Sequence, residues 1–568
     1  MSSLVFTDEH ITAWAALGPP VRQKPANDEE AKQAKERKIA RKALKRRLAK
    51  ELNPSEEETK DEESKTSPKW SERSIEIELD RLVEDQRRLS LQTEEEKLED
   101  LEKQRRLSPY QLDNSHPDNT LDHRAQGGPL LQYLWCEPNM TRTGRPSMIP
   151  PLQGQTLYLG GEVGSDGNIY CIPGHADKVL MIDRSCEKVK LIGPILRSNK
   201  GAGADTSNGR LYKWLRGIAV GDFIYGLPCH ADDILKIHVP TQTITTLKIP
   251  YEDLYSTEVR DGETVTEAYA ERTMIWKYHG GTICPLDSCI YAIPQRASQV
   301  LKIDPKTEKV TFHGPKFPGH CKWYGGILGK QDGAIYGIPQ NASGVLRITP
   351  EKVTVHGDFG ANKHLWHGGT AAANGIIVSV PANADTSLCI TPGEEPILTL
   401  VGDASIVQAG RHREDKKYKY LGAMCGTNGR VYIFPCASEY VLQVDTEKME
   451  AKNVGPNLRD SGMEAVFQNK WQNGLTCAQD ECVYGMPLSS QTILRVDCSS
   501  KKKDADPEVT VWTLPSPRRE CKDKFEGGVM TDDGVMYTVP NNHKGVLRIQ
   551  PANLQDHHKK TYLDTTGR

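Results

Sequence analysis

The stretch KYHGGTICPLDSCIYAIPQRASQVLKIDPKTEKVTF, residues 277–312, decides how this chain is read. It opens on a lysine, an aromatic, one variable residue and a glycine pair, Lys277-Tyr278-His279-Gly280-Gly281. It runs on through Tyr291-Ala292-Ile293-Pro294, an apolar segment Val300-Leu301-Lys302-Ile303-Asp304, a D-P-x-T turn and a last short segment, Lys309-Val310-Thr311-Phe312. These are short strand-forming runs punctuated by Gly, Pro and Asp, with no helical period. The tyrosine-to-proline unit recurs at Tyr170/Pro173, Tyr225/Pro228, Tyr291/Pro294, Tyr336/Pro339, Val378/Pro381, Tyr432/Pro435, Tyr484/Pro487 and Tyr537/Pro540. Successive prolines lie 55, 66, 45, 42, 54, 52 and 53 residues apart, so the period is near 50 with insertions in loops.

A four-stranded unit of roughly 40 to 50 residues is the size of one β-propeller blade, and closing such blades into a ring leaves only short, protected edges. The expected fold is all-β: an eight-repeat propeller of four-stranded blades, with seven blades as the alternative closure. It is assigned to residues 128–568, with repeats from about residue 153. The glycine pairs belong where innermost strands converge on the axis and a side chain would strike the next blade.

The pattern K-[WYF]-x-G-G … I-Y-x-I-P-x-x-A-x-x-V-L-x-I-D-P resembles a tandem propeller repeat of large families in algae and other protists. It is distantly similar to kelch-type and streptogramin-lyase-type propellers. It departs from true kelch repeats in where the glycine pair falls, and it lacks the W-D ending of WD40 blades. What the resemblance implies is the fold; propellers host unrelated functions, so it assigns no catalytic residue.

Residues 1–127 have a different character. From Ala31 to Lys50 the chain reads as a solvated basic helix, and from Glu51 to Glu63 as an acidic linker. A second helical stretch, about residues 71–107, carries Ile75, Leu82 and Leu89 at heptad spacing with Leu79 beside them, enough for a short coiled coil. The basic helix offers a nuclear-import or nucleic-acid contact. Arg87-Arg88-Leu89-Ser90 and Arg105-Arg106-Leu107-Ser108 resemble sites of cyclic-nucleotide-dependent kinases, which makes Ser90 and Ser108 the candidate phosphorylation sites.

The composition narrows the classes. With 73 basic and 76 acidic residues the net charge is −3, and 37% of residues are apolar, so neither a wholly disordered chain nor a general polyanion binder fits. No run approaches a membrane span, the first residues lack a targeting pattern, and the expected location is cytoplasm or nucleus. The 14 cysteines are too sparse for a disulfide scaffold. Cys284/Cys289 and Cys477/Cys482 lack the second ligand pair of a zinc site, so no metal or other cofactor is expected.

Three sets of positions are candidates for function. A lysine precedes the inner aromatic in six repeats (Lys213, Lys277, Lys322, Lys419, Lys470 and Lys524), with Thr156 or Leu157 and Leu365 in the others. Pseudo-symmetry suggests a ring of ammonium groups that draws an anionic or acidic protein partner, the alternative being that each lysine caps its own blade. The loop after each proline brings His175, His230, Arg296, Asn341 and Asn383 to the same face. The residue after the aromatic varies: Leu159, Leu215, His279, Tyr324, His367, Leu421, Gln472 and Glu526. Of these, His279, His367 and Glu526 are the weak catalytic candidates. The leading expectation is a non-enzymatic interaction scaffold with a regulatory N-terminal arm. A lyase- or hydrolase-like site in the channel, or nucleic-acid or ribosome association through residues 31–50, is the alternative.

Overall fold

The computed structural model describes residues 28–52, 117–137, 152, 155–196, 212–254, 257–260, 263–266, 271–272, 274–412, 417–499 and 505–554, with isolated positions 13, 14, 16, 75, 79 and 83. Residues 1–105 and 106–568 form two separate units. In the first, the basic segment forms one helix, Asp28–Leu52. It is not solvated all round: Leu48 is buried in one apolar cluster with Trp14, Ile75 and Leu79, and the Arg41 guanidinium lies 3.8 Å from the Trp14 ring centre. Leu82, Leu89, Ser90 and Ser108 lie outside the described residues.

The second unit contains eight antiparallel blades. Their inner strands are Tyr158–Val163, Trp214–Val220, Tyr278–Ile283, Trp323–Leu328, Trp366–Ala371, Tyr420–Cys425, Trp471–Cys477 and Phe525–Met530, blades 1 to 8 in that order. Each packs on the inner strands of both neighbours, blade 8 on blade 1 included, so the ring is closed. The Pro-terminated second strand is wholly buried in seven blades, as in Ile290–Pro294 and Val431–Pro435, and in blade 2 all but Phe223 is buried. Each of the eight blade-to-blade interfaces carries its own apolar cluster. Two local devices recur. An acid at the first hairpin accepts from the repeated tyrosine, as Asp287 from Tyr291 at 2.8 Å and Asp332 from Tyr336 at 2.6 Å. The inner-strand tryptophans, Trp323 and Trp366 among them, donate to a carbonyl of their own blade at 2.8 and 2.7 Å.

Two features depart from the sequence reading. The ring does not begin near residue 153: blade 8 supplies only three strands from the C-terminal repeat, and Leu130–Trp135 pairs as its fourth, Leu131 opposite Ile549 and Tyr133 opposite Leu547. Thr120–Asp122 adds a fifth strand outside it. A closure that joins the first and last segments of the propeller makes the ring depend on an upstream segment lacking the repeat pattern. The 66-residue proline spacing also has a cause, since the connection between blades 2 and 3 holds an extra hairpin, Thr257–Arg260 with Glu263–Thr266. Cys284/Cys289 and Cys477/Cys482 face each other across first hairpins, and their thiols are free.

Candidate ligand site in the central channel

The recurring lysines do not form an open positive ring. Lys213, Lys277, Lys322, Lys419, Lys470 and Lys524 are each no more than 3% exposed. Their ammonium groups turn away from solvent into the preceding blade. Lys213 donates to the carbonyls of Gly174 and Ala176 at 2.9 and 2.8 Å, and Lys470 to those of Cys436 and Ser438 at 2.8 and 2.7 Å. Lys277 and Lys322 repeat the arrangement on Ala231 and Ala297. Each lysine's own backbone meanwhile pairs with the loop after the proline of its own blade, as Lys277 with Gln295. The lysine is therefore a staple between consecutive blades, and burial pulls the ammonium pKa of Lys277, Lys322, Lys470 and Lys524 down to about 8. Leu157 and Leu365 take the equivalent backbone position in blades 1 and 5.

The loop residues close turns within their own blades. The backbone N–H groups of His175, His230, Arg296, Asn341 and Asn383 all donate to the carbonyl of the residue preceding the lysine position. Asn341 Oδ1 accepts from the His364 N–H of the next blade at 3.0 Å. His175 and His230 pack against Tyr212, with Trp276 4.5 Å from that ring, and burial first and then nearby lysines hold both imidazoles down at about 4.

The polar variable residues meet inside the channel. In every blade the inner strand carries a β-bulge between the aromatic and the second residue of the glycine pair, for example between Tyr278 and Gly281. The extra residue turns the variable side chain toward the axis. The first glycine of the pair sits in the left-handed region, as Gly280 at φ +82° does, and a Cβ there would come within 2.8 Å of the Gly325 Cα in the next blade. In two blades this rule is broken. Arg216 holds the glycine position of blade 2 at φ +71°, and Asn473 that of blade 7 at φ +56°.

Arg216 changes the chemistry of the channel. It lines a cavity of about 270 Å³ with Glu162, His279, Tyr324, His367, Gln472 and Asn473. Its positive charge acts on groups of five other blades: Glu162, His279, Tyr324, His367 and Glu526. Among the described residues no carboxylate comes into ion-pair contact with it. His279, Tyr324 and His367 stack in a row, with ring centres 3.5 and 3.6 Å apart. Burial, reinforced by Arg216, pushes the His279 imidazole well below its usual range and that of His367 to about 3, so both are neutral near pH 7. His279 is 6% exposed and its Nδ1 has no partner; the buried Asn473 Nδ2 has none either. Glu526 accepts from Gln472 Nε2 at 2.7 Å and its carboxyl is raised by burial. Glu162 is raised to about 7, burial outweighing the opposing pull of Arg216.

Of the three catalytic candidates, His279 and His367 line this cavity, separated by the Tyr324 ring, while Glu526 reaches it only through its bond with Gln472. Arg216, Asn473 and Glu162 were not among the residues singled out. The signal for the first two lies in the repeat itself, as the only non-glycine residues at the first position of the pair: Leu215-Arg216-Gly217 and Gln472-Asn473-Gly474. Among the described residues no group of three His, Cys, Asp or Glu side chains is placed to hold a metal ion. No helix among them is long and apolar enough to cross a membrane.

No protein-family model matches the chain, and no curated protein sequence does. Among solved structures it is similar to a streptogramin B lyase at 12% identity and a TM-score of 0.41, over 74% of this chain and 98% of that one. A virginiamycin B lyase from Staphylococcus aureus gives 13% and 0.40 over the same shares. U3-55K gives 10% and 0.37, over 70% and 97%. Likeness of this degree carries no functional argument, and the architecture rests on the strand pairing described above.

Proposed function

We propose that this propeller is a ligand-binding protein whose site is the central channel, where Arg216 receives the acidic group of a small molecule. The carrying observation is Arg216 itself: a guanidinium set in a wall of glycines, in a backbone conformation that costs a non-glycine residue roughly 1 to 2 kcal/mol, with no carboxylate in contact among the described residues. A fold that closes six of its other seven blades with glycine gains no stability from this substitution, and local rules are most often broken at functional sites. The cavity, about 270 Å³, has room for a small molecule. The unpartnered His279 Nδ1 and Asn473 Nδ2 supply further polar contacts.

The reading fits a member of the tandem-repeat propellers that the sequence resembles. A partner-binding scaffold has less support once the lysines are counted as staples, and it keeps only the loop face, where Tyr212 and Trp276 are partly exposed. The test is calorimetric titration of the full chain with benzoate, which joins a carboxylate to a flat ring of suitable size. Binding by the wild type and its loss in Arg216→Gly supports the channel site; equal binding by both removes it.

A further inference from the structure

We infer that the channel's ligand is a small monocarboxylate, and that it enters together with one proton taken up from solvent by the Glu162 carboxylate. This rests on the channel reading above and adds to it the charge class of the ligand and the pH control of its binding.

The first half follows from counting charges. The cavity wall presents one guanidinium, Arg216, and one carboxylate, Glu162, and Glu526 stands behind Gln472 in the adjoining blade. A single cation offsets a single negative charge, so a phosphate-like dianion would meet net repulsion from the two carboxyl groups. A planar carboxylate suits the guanidinium fork, which can give it two parallel hydrogen bonds.

The second half follows from the position of Glu162. Its Cγ lies 2.8 Å from where a Cβ on Gly217 would stand, so the side chain rests over the residue after Arg216, on the same stretch of wall. Among the described residues it makes no hydrogen bond or ion pair. Glu526 differs, being held as an acceptor by Gln472. A carboxylate arriving at Arg216 therefore comes close to an unanchored carboxylate, and two such groups sharing one cation favour the state with one proton between them. The balance is simple: where Glu162 is ionised, the ligand anion and one proton enter and the proton bonds a Glu162 oxygen; where Glu162 already holds its proton, the anion enters alone; nothing is released.

The other titratable groups facing this space keep their state from pH 6 to 9. His279 and His367 stay neutral because burial holds them far below that range, and Tyr324 is raised above it. Glu526 shares the upward shift from burial and is separated in the test by its own variant.

The test is isothermal titration of the full chain with benzoate at pH 6 to 9, repeated at pH 7 in two buffers of different ionisation enthalpy, with inorganic phosphate as the dianion probe. Benzoate should bind about tenfold more weakly at pH 9 than at pH 6, the change given by a further rise of one unit in the Glu162 pKa on binding. Uptake at pH 7 should be near half a proton, and phosphate at pH 8 should not bind. Glu162→Gln should flatten the profile and abolish uptake, whereas Glu526→Gln should leave both in place. Arg216-dependent benzoate binding with a flat profile and no uptake would overturn the proton step and leave the channel reading standing. So would a profile that moves with Glu526→Gln and not with Glu162→Gln. Phosphate binding as tightly as benzoate would overturn the ligand class. Absence of any Arg216-dependent benzoate binding would remove the channel reading itself.

Discussion

Replacing Arg216 by glycine restores the residue that six other blades carry at that position, and its effect on stability can be worked out. The left-handed φ of +71° costs an L-residue about 1 to 2 kcal/mol, which glycine escapes. Against this, glycine loses about 0.5 to 1 kcal/mol of extra backbone entropy on folding. Loss of the guanidinium also leaves the half-buried Glu162 and Glu526 carboxyl groups more protonated, at little further cost because desolvation already raises both. The sum lies between neutral and about 1 kcal/mol of stabilisation. Arg216→Ala removes the same side chain but keeps the strained backbone, so it should be less stable than the glycine variant by about 1 kcal/mol. Urea denaturation of the three proteins, with a common slope, measures both differences. A glycine variant more than about 2 kcal/mol less stable than wild type would refute the reasoning, because Arg216 would then be holding blades together.

Other substitutions separate structure from site. Trp366→Ala should cost about 3 to 5 kcal/mol, since the ring is 2% exposed between blades 4 and 5; unchanged thermal stability would contradict that packing. Lys470→Met should cost about 2 to 3 kcal/mol by leaving the Cys436 and Ser438 carbonyls without their donor, and added salt should not reproduce the loss. Glu162→Gln should stabilise the fold at pH 8 and not at pH 4. The folded carboxyl titrates at about 7, above its unfolded value, so the wild type loses stability as pH rises from about 4.5 to 7; after screening by channel water the gain at pH 8 is about 1 to 2 kcal/mol by urea denaturation. Deleting residues 117–137 removes the fourth strand of blade 8 and should abolish cooperative unfolding of the whole ring, which calorimetry would detect.

The blades were legible because eight copies of one pattern average out local ambiguity, and Trp323 with the Tyr336/Pro339 pair alone places two strands of blade 4. The closing strand Leu130–Trp135 was not, since it occurs once, lies upstream of the repeats and follows none of their spacing. The lysines were misread for a different reason. Lysine is seldom buried, so a loop lysine reads as exposed, and the carbonyls that satisfy Lys213 come from 37 and 39 residues upstream. The channel was half legible: His279, His367 and Glu526 stood out as chemically able. Arg216 was not legible from its own repeat, because it stands at the otherwise constant glycine beside the variable position and only the comparison of all eight repeats marks it.

The account turns on where the ligand sits. Diffraction from crystals of the full chain grown with 4-bromobenzoate, recorded at the bromine edge, answers that directly. The expected result is one anomalous peak inside the channel, with the carboxylate on the Arg216 guanidinium and the ring toward His279, Tyr324 and His367. Bromine only on the outer surface or at the loop face, with the channel holding water alone, would contradict the central claim.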